Sequence, residues 1–367
     1  MKIYYLMKKE LIEILRQKQM IFMILVSPVF QLLIFGYIAT TDVKNLPVEI
    51  INISNSRYSQ EIISRIKKSP LFIIKKITSR YESPLKNMKE GKIKAAILFR
   101  DGFNKKRNPS GFPDIQILMD GVDSNSSLIA AGYFNGIIND FLLKEFDKKG
   151  IKAAVKGKTL IRYNPELKSI NYMGPAIVAM LLTVIALFLT SSSIVREKEQ
   201  QTIDTLLISR LKPIEIYLGK ALPMLFVGLL DMFLGVTLVV LWFGIPIKGS
   251  MFQLLIASII YLTAILSIAL LISTFTNSQQ EAMFFSWFSM ITFILLSGLY
   301  TPVENIPWGL RWITKINPLQ YLMKIIREIF LKGNGVEFFY KDLFALIIIG
   351  SITISFSLFI FKKAVSK

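Results

Sequence analysis

The chain has 367 residues, 53% of them hydrophobic, and its mean hydropathy of +0.50 is too high for a pair of soluble domains and indicates a membrane protein. It contains neither cysteine nor histidine, which excludes disulfides and thiolate nucleophiles and removes the commonest general base and transition-metal ligand. The formal charge of +19 comes largely from basic residues beside apolar segments and in one polar domain, so nucleic-acid binding is not expected.

Six apolar segments are long enough to cross a hydrocarbon core of roughly 30 Å, which takes about 20 helical residues. Each must be helical, because lipid offers no hydrogen-bond partner to backbone N–H and C=O groups. The sequence therefore predicts an all-α transmembrane bundle of six helices. The predicted spans are residues 20–38, 172–195, 214–243, 251–275, 282–299 and 343–361.

The segment before the first span, residues 1–19, has the pattern of an amphipathic helix. Ile3, Met7, Leu11 and Ile14 recur at helical spacing, and charged residues occupy other positions. We expect this helix to lie on the cytoplasmic membrane surface. A secretory signal peptide does not fit, because its apolar core would be shorter and no small-residue cleavage site follows the span.

Basic residues set the predicted orientation. Five of them precede the first span, which places the N-terminus in the cytoplasm. Six spans return the C-terminus to the same side and also leave residues 196–213 in the cytoplasm. Residues 39–171 and 300–342 then lie outside. Long translocated segments such as the first escape the positive-inside rule, whereas the second carries six basic residues and departs from it.

Residues 39–171 alternate between strand and helix signals. This pattern predicts a small extracytoplasmic α/β domain inserted between transmembrane helices 1 and 2, and about 130 residues suffice for a separate core. The strand-like stretches are 46–54, 94–103 and 113–121, and the helix-like stretches are 59–69, 84–92 and 124–149.

One short motif in this domain resembles the end of a phosphate-binding loop, Gly157-Lys158-Thr159. A P-loop needs a glycine five residues before the Gly-Lys pair, and that position is Lys152. No strand signal leads into the motif. We therefore expect this chain to bind no cofactor of its own and to have no catalytic residue and no metal site.

The polar segment after the second span is more structured than a linker requires. It reads "REKEQQTIDTLLISRLKPIEIYLGK" and covers residues 196–220. Thr202 can cap a short helix, and Leu206 and Leu207 then share one face. Pro213 suits the first turn of the next helix. A compact helical turn with an apolar face and a charged rim is typical of a docking surface for a soluble partner.

These residues resemble the cytoplasmic loop of ABC-2 type transporter permeases of the drug and multidrug export branch, on the pattern "REKEQQTIDTLLISRLKPIEIYLGKALP". The resemblance covers nearly the whole chain. The family's interfacial helix and first span are similar to "KKELIEILRQKQMIFMILVSPVFQLLIFGYI". Its turn between spans four and five and its outer segment are similar to "FTNSQQEAM" and "LLSGLYTPVENIPWGLRWITKINPLQYLMKIIREIFLKG". The family often has glycine where Gln201 stands and proline where Arg210 stands.

The resemblance implies a membrane-spanning subunit, not an enzyme, that exports a hydrophobic or amphipathic compound across the bacterial cytoplasmic membrane. It implies a second permease, identical or paralogous, and two copies of a separate ABC ATPase that binds ATP and Mg²⁺. Residues 196–213 would be the coupling element, and the helix at residues 2–18 would also contact the ATPase. The implied ATPase-coupling residues are Glu197, Glu199, Thr202, Leu206, Leu207 and Arg210.

The outer segment 300–342 has its own helix signals. Asn317 can cap a helix that begins at Pro318, and Gly333 can follow its end. Too many charges interrupt the segment for a seventh span. The resemblance implies a pair of short re-entrant helices here that dip into the outer leaflet without crossing it.

Asp231 lies midway along the third predicted span. A central acid costs about 2.5–3.5 kcal/mol on insertion scales, so we expect it to face protein or water. Three interpretations stay open: an interhelical hydrogen bond, a position lining the transport path, and a proton or ion site. Gly228 and Gly235 on the same span would let neighbouring helices approach closely.

Two other functions fit parts of the sequence. A membrane-anchored sensor or scaffold would use the outer α/β domain to bind a ligand or partner, although one or two spans would anchor it. A membrane enzyme would need acids or a Ser-Lys pair in the bilayer, where Asp231 is the only clear mid-span acid. What the basic outer domain contacts also stays open between an outer accessory protein and anionic membrane lipid.

Overall fold

The computed structural model describes residues 2–38, 45–79, 84–100, 115–121, 124–148, 168–202, 211–300 and 303–365. The chain divides into two compact units. The smaller unit is Thr41–Leu160, and the larger unit combines Met1–Thr40 with Ile161–Lys367. The predicted GKT motif at residues 157–159 lies outside the described residues.

The elements alternate between helix and strand only in the smaller unit. Two short turns, Val303–Asn305 (3-10) and Glu328–Lys332 (π), accompany the helices of the larger unit. In chain order the elements are α1 Lys2–Arg16, α2 Lys18–Ile38, β1 Leu46–Asn52, α3 Arg57–Lys68, β2 Phe72–Thr78, α4 Leu85–Lys89, β3 Ala95–Phe99, β4 Ile115–Met119, α5 Ser124–Lys148, α6 Ser169–Glu199, α7 Pro213–Leu241, α8 Met251–Phe275, α9 Gln279–Leu295, α10 Trp308–Ile316, α11 Pro318–Arg327 and α12 Val336–Val365.

Among the described residues, five helices are long and apolar enough to cross a membrane. They correspond to five of the six predicted spans. The predicted span 282–299 corresponds to α9, which has 17 residues, fewer than the roughly 20 of a typical crossing. The five helical segments are Met20–Tyr37, Ser169–Glu199, Pro213–Leu241, Met251–Phe275 and Val336–Lys363.

Helix α6 is the centre of the larger unit. Its apolar window is 89% buried, against 17% for α12, so α6 is enclosed by protein and α12 is peripheral. It packs against α2, α7, α8, α9 and α11. Small residues such as Gly174, Ala179 and Ala186 line it, and small side chains let membrane helices approach closely.

Interhelical hydrogen bonds fix which helices are neighbours inside the larger unit. The hydroxyls of Thr183 and Tyr261 lie 2.5 Å apart and join α6 to α8. Ser286 Oγ donates to Ser191 Oγ at 2.7 Å and joins α9 to α6. Hydrogen bonds of this kind contribute about 0.6 kcal/mol on average in membrane proteins, so they specify neighbours more than they add stability.

The helix ends differ from the predicted span ends where a polar group is paired. The second predicted span stops at residue 195, but α6 continues to Glu199 because its charged residues find partners. The fifth begins earlier than predicted because the Ser278 hydroxyl caps α9 by accepting from the Glu281 N–H. The sixth begins at Val336 instead of residue 343. Hydropathy misses residues 196–199 and 279–281 because they are mostly polar.

Helix α1 is amphipathic, and its buried face overlaps the predicted stripe only at Ile14. Leu6, Glu10 and Ile14 are buried, and they recur every four residues on one face. The Leu6 side chain fills the space above Gly219 of α7, where an added Cβ would lie 2.3 Å from it. Of the predicted stripe, Ile14 is buried and Ile3, Met7 and Leu11 are half-buried, so the prediction found the edge of the buried face but missed Leu6 and the acid Glu10.

The segment around residues 317–333 folds as its capping signals predict. The Asn317 side chain accepts from the Leu319 N–H, Pro318 is the first residue of α11, and Gly333 has a φ of 69° after the π-helical turn. Arg327 lies over the Tyr172 ring, 3.8 Å from the ring centroid, and joins α11 to the start of α6.

The smaller unit is an α/β fold built on a four-stranded sheet in the order β2-β1-β3-β4. β1 pairs in parallel with β2 and β3, and β3 pairs antiparallel with β4. Side chains of α3 and α5 pack on one sheet face and form a separate core with it. The strand β2 was not predicted, because the run "FIIKKIT" lacks alternation and lies at a sheet edge.

The core of the smaller unit depends on one aromatic stack. The rings of Phe72 and Phe134 lie parallel with centroids 4.1 Å apart, and both side chains are buried. We predict that Phe134→Ala destabilises this unit by about 3–5 kcal/mol, because a large cavity forms beside β2. Hydrogen exchange of the β1 and β3 amides should speed up accordingly, whereas Tyr133→Ala, at an exposed neighbour, should leave it within experimental error. Equal protection in the two variants would contradict the prediction.

Candidate functional site

The four charged residues that end α6 each contact a different part of the larger unit. Consecutive helix residues point about 100° apart, so Arg196, Glu197, Lys198 and Glu199 fan out around the axis. Arg196 reaches α2, and Glu197 reaches both α1 and α7. Lys198 reaches α8, and Glu199 reaches α9. This arrangement makes the end of α6 a junction of helices.

The most buried group at this junction is the ammonium of Lys220, whose side chain is 2% exposed. Its Nζ donates to Glu10 Oε1 at 2.7 Å, to the Ser193 carbonyl at 3.1 Å and to Glu197 Oε1 at 3.4 Å. These three acceptors come from α1 and α6, while Lys220 belongs to α7. One buried charge therefore joins the amphipathic helix to both helices that flank residues 200–212.

Two further groups complete this cluster around Glu197. Lys9 donates to Glu197 Oε1 and pairs with Glu13 at 3.2 Å, and the Thr202 hydroxyl donates to Glu197 Oε2. Partial burial lowers the pKa of Lys9, but the hydrogen bond and charge of Glu197 outweigh it and leave that pKa raised. We call Lys9, Glu10, Glu197, Thr202 and Lys220 the hinge network.

The acids of this region are already paired with cations. Carboxylate oxygens of Glu10, Glu13 and Glu197 lie within 4.8 Å of one another, a spacing that a metal ion would suit. Lys9 and Lys220 occupy the positions that such an ion would take. The cluster is therefore an ion-pair network.

Lys198 and Glu199 complete the ends of two other helices. Lys198 Nζ donates to the carbonyls of Ser273, Thr274 and Thr276 at 3.1, 2.9 and 2.8 Å, which are otherwise unsatisfied at the C-terminus of α8. The Glu199 carboxylate accepts from the backbone N–H and the side-chain amide of Gln279 at the N-terminus of α9. Each charge also has the sign that the helix dipole favours.

Gln201 has a φ of 56°, in the left-handed region where glycine is preferred. The Thr202 N–H bonds to the Glu197 carbonyl at 2.9 Å, which is the pattern that closes a helix with a left-handed residue. A positive φ at this position favours glycine, which agrees with the glycine expected here from the resemblance to ABC-2 permeases.

The structure describes three of the six predicted coupling residues. Glu197, Glu199 and Thr202 all bond within the chain, where they hold helices together. Leu206, Leu207 and Arg210 lie outside the described residues. Sequence reasoning missed Lys220, Glu10, Lys9 and Lys198, although a lysine early in an apolar span and an acid in an apolar stripe were signals of buried pairing.

Asp231 is fully buried in α7, as the cost of a mid-span acid predicts. Neither of its carboxyl oxygens has a hydrogen-bond partner among the described residues. The predicted close approach is confirmed at Gly228, where an added Cβ would lie 2.9 Å from Leu262. At Gly235 an added Cβ would make only an ordinary contact, 3.5 Å from Val178.

Comparison with known proteins assigns the chain to a family. The model of the ABC-2 family transporter protein matches residues 18–359, so the chain belongs to this family. It is 28% identical over 366 residues to Escherichia coli K12 YbhR, named "Probable multidrug ABC transporter permease", with 99% of each chain covered. It is also 28% identical over 330 residues to E. coli K12 YbhS, likewise named "Probable multidrug ABC transporter permease". This match covers 89% of this chain and 87% of YbhS. It is 25% identical over 362 residues to the E. coli K12 "Inner membrane transport permease YhhJ", covering 97% and 96%.

This membership fixes the general class of the protein. It is a multi-pass membrane protein of the permease type, a transport subunit that is not itself catalytic. ABC-2 permeases work with ABC ATPase subunits in general.

We predict that Lys220→Met destabilises the permease by about 3–5 kcal/mol, because it leaves the Glu10 carboxylate buried without a cation. The double change Glu10→Leu with Lys220→Met should recover most of that loss, since apolar replacement of both partners is often neutral. Thermal unfolding of the purified protein measures both effects. Lys212→Met, at an exposed lysine, is the matched control, and a double variant no better than the single one would contradict the prediction.

We predict that Gln201→Gly is neutral or stabilises by up to about 1 kcal/mol, and that Gln201→Val destabilises, because a β-branched residue tolerates a positive φ poorly. The same thermal unfolding assay ranks the stability of the wild type, the glycine variant and the valine variant. A glycine variant less stable than the valine variant would show that the left-handed conformation is not what limits this position.

Proposed function

We propose that this chain is the permease subunit of an ATP-binding cassette exporter that moves a hydrophobic or amphipathic compound across the bacterial cytoplasmic membrane. It spans the membrane six times, with α9 as a short fifth crossing and both termini in the cytoplasm. ATP and Mg²⁺ bind to two copies of a separate ATPase. A second permease, identical or paralogous, completes the transporter, and residues 39–171 lie outside.

The hinge network is the observation that carries this proposal. Residues 203–210 connect α6 to α7, and Lys220 and Glu197 tie the flanking ends of both helices to α1. Lys198 and Glu199 extend the same junction to α8 and α9. A force applied to residues 203–210 therefore reaches α1 and four membrane helices through polar contacts that are mostly buried. A linker between two spans needs none of this.

In the proposed mechanism, nucleotide binding in the ATPase favours one of two arrangements of the helices. The ATPase contacts Leu206, Leu207 and Arg210. The hinge network carries its movement to α1 and α7, and Lys198 carries it to α8. A nucleotide can bias the transporter only by binding its two states differently, which requires a junction that moves as one body. Glu197, Glu199 and Thr202 act here as positioning residues for the docked segment.

The cargo class follows from the relatives and from one buried acid. YbhR and YbhS carry names that describe multidrug permeases, which supports a similar cargo for this chain. Asp231 lines the proposed transport path between α7 and its neighbours, because it faces protein and has no hydrogen-bond partner among the described residues.

Lipid and an outer partner complete the proposed assembly. The face of α1 opposite its buried stripe exposes Tyr4, Tyr5, Lys8 and Leu15, a combination that suits the headgroup region of a membrane. For residues 39–171, an outer accessory protein and anionic lipid headgroups are the candidate contacts.

Co-purification is the direct test of the proposed function. The tagged chain, expressed with its neighbouring reading frames and extracted in mild detergent, should carry an ABC ATPase in stoichiometric amount. Membrane vesicles that hold the complex should export only when ATP is present. Export by the chain alone on a proton or sodium gradient would overturn the proposal.

We predict that Leu206→Glu with Leu207→Glu uncouples ATP hydrolysis from export, because two charges enter an apolar docking face. Export per ATP hydrolysed should fall about tenfold or more, as for loss of a central interface residue. Leu206→Met with Leu207→Met keeps the apolar face and should retain coupling. Normal export by the glutamate variant would show that this segment does not couple the two subunits.

A further inference from the structure

We infer that Asp231 is the recognition group for the positive charge of a lipophilic cation, an inference that rests on the proposed export function and names the cargo class for it. Asp231 lies well inside α7 with an exposed fraction of 0%. Both of its carboxyl oxygens lack a hydrogen-bond partner among the described residues. An isolated carboxylate is costly in such a setting unless an opposite charge joins it.

Asp231 lies on the face of α7 that packs against α6 and α8. Gly228 and Gly235 lie one helical turn before and after Asp231, so all three share one face. Gly228 contacts Leu262 of α8, and Gly235 contacts Val178 of α6. This face is turned towards protein, so a ligand of Asp231 would be bound between helices and not at the lipid boundary.

The helices around Asp231 supply no cation of their own. The membrane-embedded part of α6, residues 169–195, contains no lysine or arginine, and neither does any part of α8. On α7 the nearest basic residue is Lys220, about 16 Å away along the axis, and it is paired with Glu10 and Glu197. A positive charge that pairs with Asp231 would therefore come from outside these three helices.

A second buried oxygen favours a ligand that brings hydrogen-bond donors or charge. Ser258 of α8 lies one turn from Leu262, the side chain that contacts Gly228, and its buried hydroxyl has no partner among the described residues. Asp231 and Ser258 thus add acceptor oxygens to the same interface. A neutral apolar cargo would leave them unsatisfied, and an anion would be repelled.

The site opens when the helices separate. Asp231 has no exposed surface in this arrangement, so cargo reaches it only in a state where α7 has moved away from α6 or α8. The proposed ATP-driven movement of the hinge supplies such a state.

Binding of radiolabelled tetraphenylphosphonium to the purified complex tests the inference, with equilibrium dialysis in nanodiscs both without nucleotide and with ATP. The wild-type protein should bind this cation saturably in at least one condition. Asp231→Asn should weaken binding about tenfold or more, the range for loss of a charge-assisted contact, and Asp231→Glu should retain most of it. Glu337→Gln removes an acid elsewhere and should bind as the wild type does.

A measurement on the unchanged protein covers the case in which Asp231→Asn does not fold. Dicyclohexylcarbodiimide attaches to membrane-embedded carboxyl groups, and mass spectrometry locates the labelled peptide. Tetraphenylphosphonium should protect Asp231 from labelling, whereas the anion tetraphenylborate, of the same shape, should not. No saturable cation binding in either condition, binding unaffected by Asp231→Asn, or equal protection by both ions would each overturn the inference.

The outcomes separate this inference from the proposed function. If an ATPase co-purifies and drives export but tetraphenylphosphonium does not bind, the cation site is wrong and the permease role stands. If Asp231 binds the cation but no ATPase associates and ATP drives no export, the site stands and the proposed exporter is wrong.

Discussion

The burial of one ammonium group constrains the arrangement of the larger unit. Moving such a charge out of water costs several kcal/mol even after relaxation, so Lys220 is tolerated only because Glu10 and Glu197 surround it. Glu10 lies 210 positions away in the sequence, on the helix α1 that also packs on α7 through Leu6. Moving α1 away would leave the buried Lys220 paired with Glu197 alone. The start of the chain, the end of α6 and the start of α7 are therefore held as one body, although no covalent link requires it.

The parts of this structure that the sequence predicts are those with a local physical cause. Lipid forces apolar segments to be helical, so five spans were predicted correctly. Asn317 and Pro318 mark a helix start because the asparagine side chain caps it and proline suits its first turn. The buried face of α1 was predicted only in part, at Ile14, because Glu10 is polar and its partner cannot be read from periodicity. For the same reason, Glu197, Glu199 and Thr202 were predicted as coupling residues with no indication that they bond inside the chain. Pairing between residues 188 or 210 positions apart leaves no pattern in one sequence.

The two buried polar centres of the larger unit differ in one respect that bears on function. In the hinge network every charged group has a partner of opposite charge, which favours a single rigid arrangement. At Asp231 the described residues offer no partner, so the arrangement there is incomplete and open to change by a ligand. A transporter needs both kinds of site, because one part must transmit movement without yielding and another must respond to cargo. Both centres lie on α7, so a single helix connects the docked end to the proposed cargo position.

The short charged run at the end of α6 bonds the start of the connection to α7 to the neighbouring helices. Four successive residues on a helix point in four directions, so they can bond to four separate neighbours, whereas four residues of flexible linker would bond to solvent. Lys198 and Glu199 also complete the ends of α8 and α9, which removes unsatisfied backbone groups where two helices meet. A force applied to residues 203–210 therefore cannot rotate α6 without disturbing these contacts. The same hydrogen bonds therefore stabilise the junction and allow it to transmit movement.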